Sequence, residues 1–512
     1  MTAAKCFPRA GVATPHYLAS AAGLATLAEG GNAIDAVIAA NLALGVVAPY
    51  FCGYGGDLFA IVWDGELQGY LGSGRSPAAT TREAVAADHD AMPVLGAHTV
   101  TVPGAVAGWF ALLERWGTRS FGDLAGHGLR YARDGFEVTP AAAPIFEGCG
   151  PMYADFAAWH DTYGSVAAGT VLRQPALART IEVLATDGPD AYYRGAIAEA
   201  MATAAQAGGG VLTTSDLAAH GGRWETPISA QYRDVEVAEL PPPTQGVTAL
   251  EALRILDGFE LPGDGPARQH LLIEAMKLAL VDRDEHVSDP AVMRTPAELL
   301  LADEWVERRR AVLDPEHATA PAPIAAHTGG TAYLCAADGD GLLVSLIQSN
   351  FLAFGSGVHV PEWGINLNNR GSSFTLGADH VNVLAPSKLP MHTLIPAMAL
   401  RDREPWLVFG SMGGDSQAQV QVQLLAHVVD DGADVQAALD APRWCIDPSN
   451  WQMRAERGFA PEMIDGLEGR GHAPRPAPRG DTGMGHAHAI ARRPGGYAVA
   501  TDPRAEGAAL GL

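Results

Sequence analysis

Three absences bound the reading of this chain. The five cysteines, Cys6, Cys52, Cys149, Cys335 and Cys445, form no CxxC pair, so they supply neither a zinc framework nor a disulfide scaffold. No run of about 18 apolar residues occurs, and the opening stretch MTAAKCFPRAGVATPHYLAS lacks an apolar core of signal-peptide length. The expectation is a cytoplasmic protein without membrane association. Basic residues are scarce: 34 Lys and Arg stand against 58 Asp and Glu, a formal charge of −24. An acidic surface repels phosphate, which argues against a nucleic-acid partner.

What is present is globular. Of 512 residues, 48% are hydrophobic and 18% charged, which excludes disordered, collagen-like and coiled-coil chains. The length allows three domains or one large α/β body.

Residues 17–48 read as two Ala-rich helices broken at Gly30-Gly31-Asn32, with Asp35 early in the second. FCGYGGDLFAIVW (51–63) is a Gly-rich turn feeding a strand. Helical spacing recurs over 104–116, 267–285 and 417–431. The stretch 312–330, VLDPEHATAPAPIAAHTGG, lacks apolar periodicity and reads as an exposed connection. Immediately after it, 331–338 and 342–349 read as a β-hairpin turning at 339–341. A strand over 405–412 runs into Gly413-Gly414, and two more pair near the end through Pro494-Gly495-Gly496. Antiparallel strands with helices on both sides give an α/β sandwich.

Common catalytic motifs are missing. There is no GxSxG, no P-loop and no complete GxGxxG. His486 and His488, two apart, read as the polar face of a strand, with no third metal ligand suggested; no metal or cofactor is expected. A Thr opening a strand after a small-residue linker offers different chemistry. Thr331 Oγ1 attacks the Gly330 carbonyl, and an N-to-O shift followed by hydrolysis frees a new N-terminus. Its α-amine, with a pKa of roughly 7.7–8.0, accepts the Oγ1 proton, so Thr carries its own base. A plain linker followed by a β-favouring Thr fits the same local pattern. Gly413-Gly414 is either a turn or a pair of oxyanion donors.

The choice is made by resemblance. EGGNAIDAVIAA (29–40), GYGGDLFAIV (53–62), GSGRSPAATT (72–81), VPGAVAGW (102–109) and LPPPTQG (240–246) stand in the first part of the chain. EAMKLALVDRDEHVSDP (274–290), SLIQSNFLAFGSGV (345–358), LNNRGSSF (367–374), GSMGGDSQAQ (410–419) and TDPRAEGAALG (501–511) follow. In this order they resemble the γ-glutamyltranspeptidase family of N-terminal nucleophile hydrolases. The resemblance implies an αββα four-layer sandwich, and a proenzyme cut between Gly330 and Thr331. Residues 1–330 would form the large subunit and 331–512 the small one, joined as an αβ heterodimer, alone or paired with another. It also implies Thr331 as nucleophile, Ser349 as a second hydroxyl beside it, Gly413 and Gly414 as the oxyanion pair, and Arg75 as the grip on a substrate carboxylate.

The departures concern substrate recognition. Phe351, Arg370, Ser373 and the pair His392-Thr393 occupy places where the family has its glutamyl-binding set. An Asp that would meet an α-ammonium is Ser373, and Arg370 is added, a local change of about +2 in charge that disfavours a zwitterionic acyl group. The lid loop, Thr375–Ala385, is short, which implies an open site. The expectation is hydrolysis of a small-molecule amide bearing a carboxylate, oxamate-like or acyl-amide, with a true γ-glutamyl transferase as the nearest alternative. A non-catalytic, uncut relative and a metal-dependent amidohydrolase using histidines are the rival classes.

Overall fold

The computed structural model describes residues 3–261 and 263–512. Fourteen strands build two sheets: β1 (Lys5–Phe7), β2 (Gly11–Thr14), β3 (Asp57–Trp63), β4 (Leu67–Gly72), β5 (Arg223–Glu225), β6 (Ile228–Tyr232), β7 (Val235–Glu239), β8 (Gly330–Ala337), β9 (Leu343–Phe351), β10 (Ala397–Arg401), β11 (Glu404–Ser411), β12 (Ala487–Arg493), β13 (Gly496–Thr501) and β14 (Ala508–Gly511). One sheet runs β1-β13-β12-β11-β10-β7-β6 and the other β14-β2-β8-β9-β3-β4-β5. Every neighbouring pair is antiparallel.

Period-two side-chain alternation sorts the strand residues between layers. In β8, Tyr333, Cys335 and Ala337 enter the core between the sheets, with Phe59, Met398, Val408 and Ile490. Ala332, Leu334 and Ala336 turn the other way, onto α1 (Tyr17–Ala28), α2 (Ala33–Val47) and α3 (Ala105–Trp116). The opposite sheet sends Val237, Ala399 and Phe409 against α4 (Gly246–Asp257), α5 (Pro266–His286) and α6 (Ser416–Leu425). The result is the four-layer αββα order. Helix α2 is buried along its whole length, which is why its sequence is apolar all round. Asn32 and Asp35 close its N-terminus as a capping box.

The expected elements form close to their sequence bounds. The helix expected over 417–431 is α only to Leu425 and continues as a π-turn through Ala426–Asp430. Residues 312–330 are largely exposed, apart from the buried Leu313 and His327. No helix among the described residues is long and apolar enough to cross a membrane.

Candidate active site

Four side chains project from one end of the second sheet along a single rung. Ser349 pairs with Asp57 across β9 and β3. Ala332 pairs with Gln348, and the register between β8 and β9 shifts at Thr331, so Thr331 sits in a bulge opposite Ser349. Leu58 pairs with Gly72 on β4, which places Ser73 one step further along the same rung. Arg223 of β5 pairs with Leu71. By alternation, Thr331, Ser349, Asp57, Ser73 and Arg223 all face the gap between the sheets.

The Ser349 hydroxyl is fully used. It accepts from Thr331 Oγ1 at 3.2 Å and from the Phe351 N–H at 2.7 Å, and donates to the Gly330 carbonyl oxygen at 2.6 Å. Phe351 reaches this position with φ +81, a conformation rare for a bulky side chain. One hydroxyl therefore links Thr331 Oγ1 to the carbonyl of the Gly330–Thr331 peptide bond.

Gly413 and Gly414 follow β11 with φ +128 and +59. A Cβ on Gly414 would lie 2.0 Å from the His327 carbonyl, so glycine is required for the linker to pass. Among the described residues neither glycine N–H has a protein acceptor. A buried scaffold holds this turn. Gln245 donates to the Gly414 and Thr393 carbonyls and accepts from Arg283, which is paired with Asp415. Asp415 in turn accepts the His327 N–H at 2.7 Å. Sequence reasoning missed Gln245, Arg283 and Asp415: Arg283 looks like an ordinary helix residue, and Gln245 and Asp415 like ordinary residues just before a helix.

Of the residues expected to recognise substrate, Phe351, Arg370, His392 and Thr393 gather near Asp57, which was missed from sequence. Arg370 is fully buried, with its guanidinium 4.0 Å from the Phe351 ring centre. Its Nη1 donates to Thr393 Oγ1 at 3.2 Å, and its Nε lies 3.9 Å from Asp57 Oδ2. Nη2 has no protein partner. His392 Nδ1 accepts the Leu394 N–H, so Nε2 carries the proton and donates to Asp57 Oδ2 at 3.0 Å. Burial pushes the Asp57 carboxyl up to about 7, against the pull of Arg370. Burial also brings Arg370 down to about 9 and holds His392 well below its ordinary value. The +2 charge change read from the sequence is thus partly answered by Asp57. Asn368 delivers Arg370, its Oδ1 accepting the Arg370 and Thr101 N–H groups.

Arg75 stands apart from this cluster, donating to Asp289 and to the Ser387 carbonyl, both at 2.9 Å. Ser373 is buried with an unpartnered hydroxyl and lines a cavity of about 250 Å³ whose other walls include His327, Arg283 and His380. The short lid does not leave an open site. Thr331 is 1% exposed. Residues 327–330 lie against Gly414, Phe351 and Tyr50, and Asn382 pins the lid to Ser288 and Met391.

The histidine expectation needs correction. His486 precedes β12, and it and His488 are buried rather than on a solvated face. One group with metal-type ligands exists among the described residues, His270, Glu274 and His472. There the Lys277 ammonium already bonds Glu274 at 2.7 Å, His270 and His472 bond each other at 2.8 Å, and Thr319 of the linker takes the second Glu274 oxygen. The cluster fastens the linker.

The four-layer αββα sandwich is that of an N-terminal nucleophile enzyme, an amidohydrolase or transferase. Comparison with known proteins agrees. The profile of the family described as Gamma-glutamyltranspeptidase matches residues 19–512, and the chain belongs to that family. It is 35% identical over 518 residues to the glutathione hydrolase-like YwrD proenzyme of Bacillus subtilis, covering 98% of each chain. It is 36% identical over 520 residues to the oxamate amidohydrolase proenzyme of Klebsiella pneumoniae, covering 97% of each. The crystal structure of cephalosporin acylase from Bacillus halodurans superposes with a TM-score of 0.95 at 38% identity, covering 100% of this chain and 97% of that one.

Proposed function

We propose that the chain is an autoprocessing amidohydrolase that cuts itself between Gly330 and Thr331 and then hydrolyses a carboxylate-bearing acyl amide through a Thr331 acyl-enzyme. The observation that carries this reading is the Thr331–Ser349–Gly330 chain of hydrogen bonds. In the first reaction Thr331 Oγ1 adds to the Gly330 carbonyl carbon, and Ser349 stabilises the charge developing on the carbonyl oxygen. The C–N bond breaks, the amine takes a proton, and water opens the resulting ester. The products are a Gly330 carboxylate and a free Thr331 amine. That amine serves as the base when Oγ1 attacks a substrate amide. Gly413 and Gly414 supply N–H donors to the tetrahedral oxyanion.

Substrate choice follows from what replaces the glutamyl set. No carboxylate stands at position 373 to meet an α-ammonium, whereas Arg370 offers a buried, unpartnered Nη2. A guanidinium suits a carboxylate, and Phe351 and Asp57 hold its plane. The names of the oxamate amidohydrolase and cephalosporin acylase relatives are compatible with an acyl-amide substrate. Denaturing mass spectrometry tests the first step: two species, ending at Gly330 and beginning at Thr331, are expected. Turnover of oxalyl or glutaryl anilides above γ-glutamyl anilide tests the second. A preference for γ-glutamyl anilide would make the protein a γ-glutamyl enzyme instead.

A further inference from the structure

The segment that carries His392 and Thr393 is supported from two sides. Side chains of α6 hold both backbone polar groups of Ile395: Gln417 Oε1 accepts its N–H at 3.3 Å, and Gln421 Nε2 donates to its carbonyl at 2.9 Å. The loop between β7 and α4 holds His392. The Pro243 carbonyl accepts the His392 N–H at 2.7 Å, and the Gln245 N–H donates to the His392 carbonyl at 2.9 Å.

Glu239 stands where these two supports meet. It ends β7, on the face that Val237 turns toward the helices, and is fully buried. Gly246, the first residue of α4, closes the loop against it: a Cβ there would lie 2.7 Å from Glu239 Cβ. The Gln421 amide lies beside the Glu239 carboxyl, yet neither oxygen has a partner at normal hydrogen-bond distance. Thr248 Oγ1 of α4 and Gln417 Nε2 and Gln421 Oε1 of α6 are buried and unpartnered as well. Burial holds the Glu239 carboxyl well above its ordinary value. A neutral acid both donates and accepts, which suits a junction of amides and a hydroxyl; an isolated carboxylate there would be costly.

The path from this junction to the site is short. Thr393 Oγ1 accepts from Arg370, and His392 donates to Asp57. Gln245 also reaches Gly414, but Arg283 holds that side chain independently, so the glycine turn keeps its own support. We propose that Glu239 is a positioning residue for substrate recognition, which seats α6 against the base of the 240–245 loop and so keeps Thr393 and His392 aligned with Arg370 and Asp57. The inference rests on the reading of Arg370 as the grip on an acyl-side carboxylate.

The test uses the self-cut enzyme with oxalyl anilide and its methyl ester. Glu239→Leu, of similar size but apolar, should raise KM for the acid about tenfold or more and leave kcat nearly unchanged. Glu239→Gln, which is neutral and can donate and accept, should keep KM near the parent value. Gln421→Met should raise KM as Glu239→Leu does, and carries the test if that variant does not fold; processing at Thr331 reports folding in each. Hydrogen exchange of residues 392–395, read by mass spectrometry, is independent of turnover and should be faster in Glu239→Leu and Gln421→Met alone. KM and exchange unchanged in both, a fall in kcat alone, or Glu239→Gln as impaired as Glu239→Leu would overturn the positioning role. A parent enzyme that treats acid and ester alike would instead overturn the Arg370 reading, while exchange raised in those two variants alone would still support the role of Glu239 in holding the segment.

Discussion

Ser349 Oγ lies 2.6 Å from the Gly330 carbonyl oxygen and 3.2 Å from Thr331 Oγ1, so one hydroxyl connects the proposed nucleophile to the bond it would cut. Removing it should slow maturation without unfolding the protein. Ser349→Ala is expected to cut itself about 10²–10³ times more slowly, the usual cost of one oxyanion donor. Ser349→Thr, which keeps the hydroxyl, should recover most of the rate. Thr331→Ala should remain one 512-residue chain. Intact mass over time reads all three, and two fragments from Thr331→Ala would refute the mechanism.

Gly414 has no room for a side chain. With φ +59 and the His327 carbonyl 2.0 Å from an added Cβ, Gly414→Ala must displace either the turn or the linker. The expected result is impaired cutting and an anilide-hydrolysis loss of about 100-fold or more in whatever fraction matures, with the fold kept by circular dichroism.

Arg370 and Asp57 should show energetic coupling. Arg370→Gln leaves Asp57 with His392 as its side-chain partner in a fully buried site, which should cost about 3–5 kcal/mol. Asp57→Asn in the same chain should recover part of that loss. A double-mutant cycle by denaturant unfolding measures the coupling, and strictly additive values would separate the two residues.

Substrate binding should depend on pH through Asp57. With its carboxyl at about 7, Asp57 is neutral at pH 6 and charged at pH 8. While neutral it leaves the Arg370 charge to the substrate. KM for a short carboxylate anilide should therefore be lower at pH 6 than at pH 8, and Asp57→Asn should flatten the profile.

A buried pair of acids, Glu251 and Asp282, predicts a pH effect on stability alone. Glu251 lies beside Asp282, and Trp305 Nε1 donates to both at 2.8 and 3.1 Å. Burial, then Asp282, holds the Glu251 carboxyl well above its ordinary value. A group whose pKa is raised on folding contributes its full stability below the unfolded value, ~4.3 for Glu, and loses it as pH rises toward the folded value. Thermal stability should fall as pH rises above that point. Glu251→Gln, which mimics the neutral acid, should reduce the fall.

Much of this architecture was legible because its signals are local. The hairpin carrying Thr331 and Ser349 could be read from alternation and a GDG turn, and the Gly413-Gly414 turn from the strand before it. Asp57 and Ser73 could not be assigned to the rung this way. Asp57 meets Ser349 only through strand register, and nothing local distinguishes it from any Asp opening a strand. Arg370 was legible as a departure, but not its burial beneath Phe351 or its pairing across the chain. His486 and His488 misled because period-two spacing looks the same on a buried strand end as on a wet one.

The order of the sheets also governs what a broken Gly330–Thr331 bond would mean for the whole molecule. In one sheet, β2 lies between β14 and β8, and β9 beside β3; in the other, β1 and β7 flank β13-β12-β11-β10. Strands from before and after that bond are shuffled together like two halves of a deck. Neither half contains a closed sheet, so neither could be removed without tearing ladders on both sides. A cut there would free two chain ends, Gly330 and Thr331, inside a finished edifice, and the two products would stay interlocked by the shared ladders.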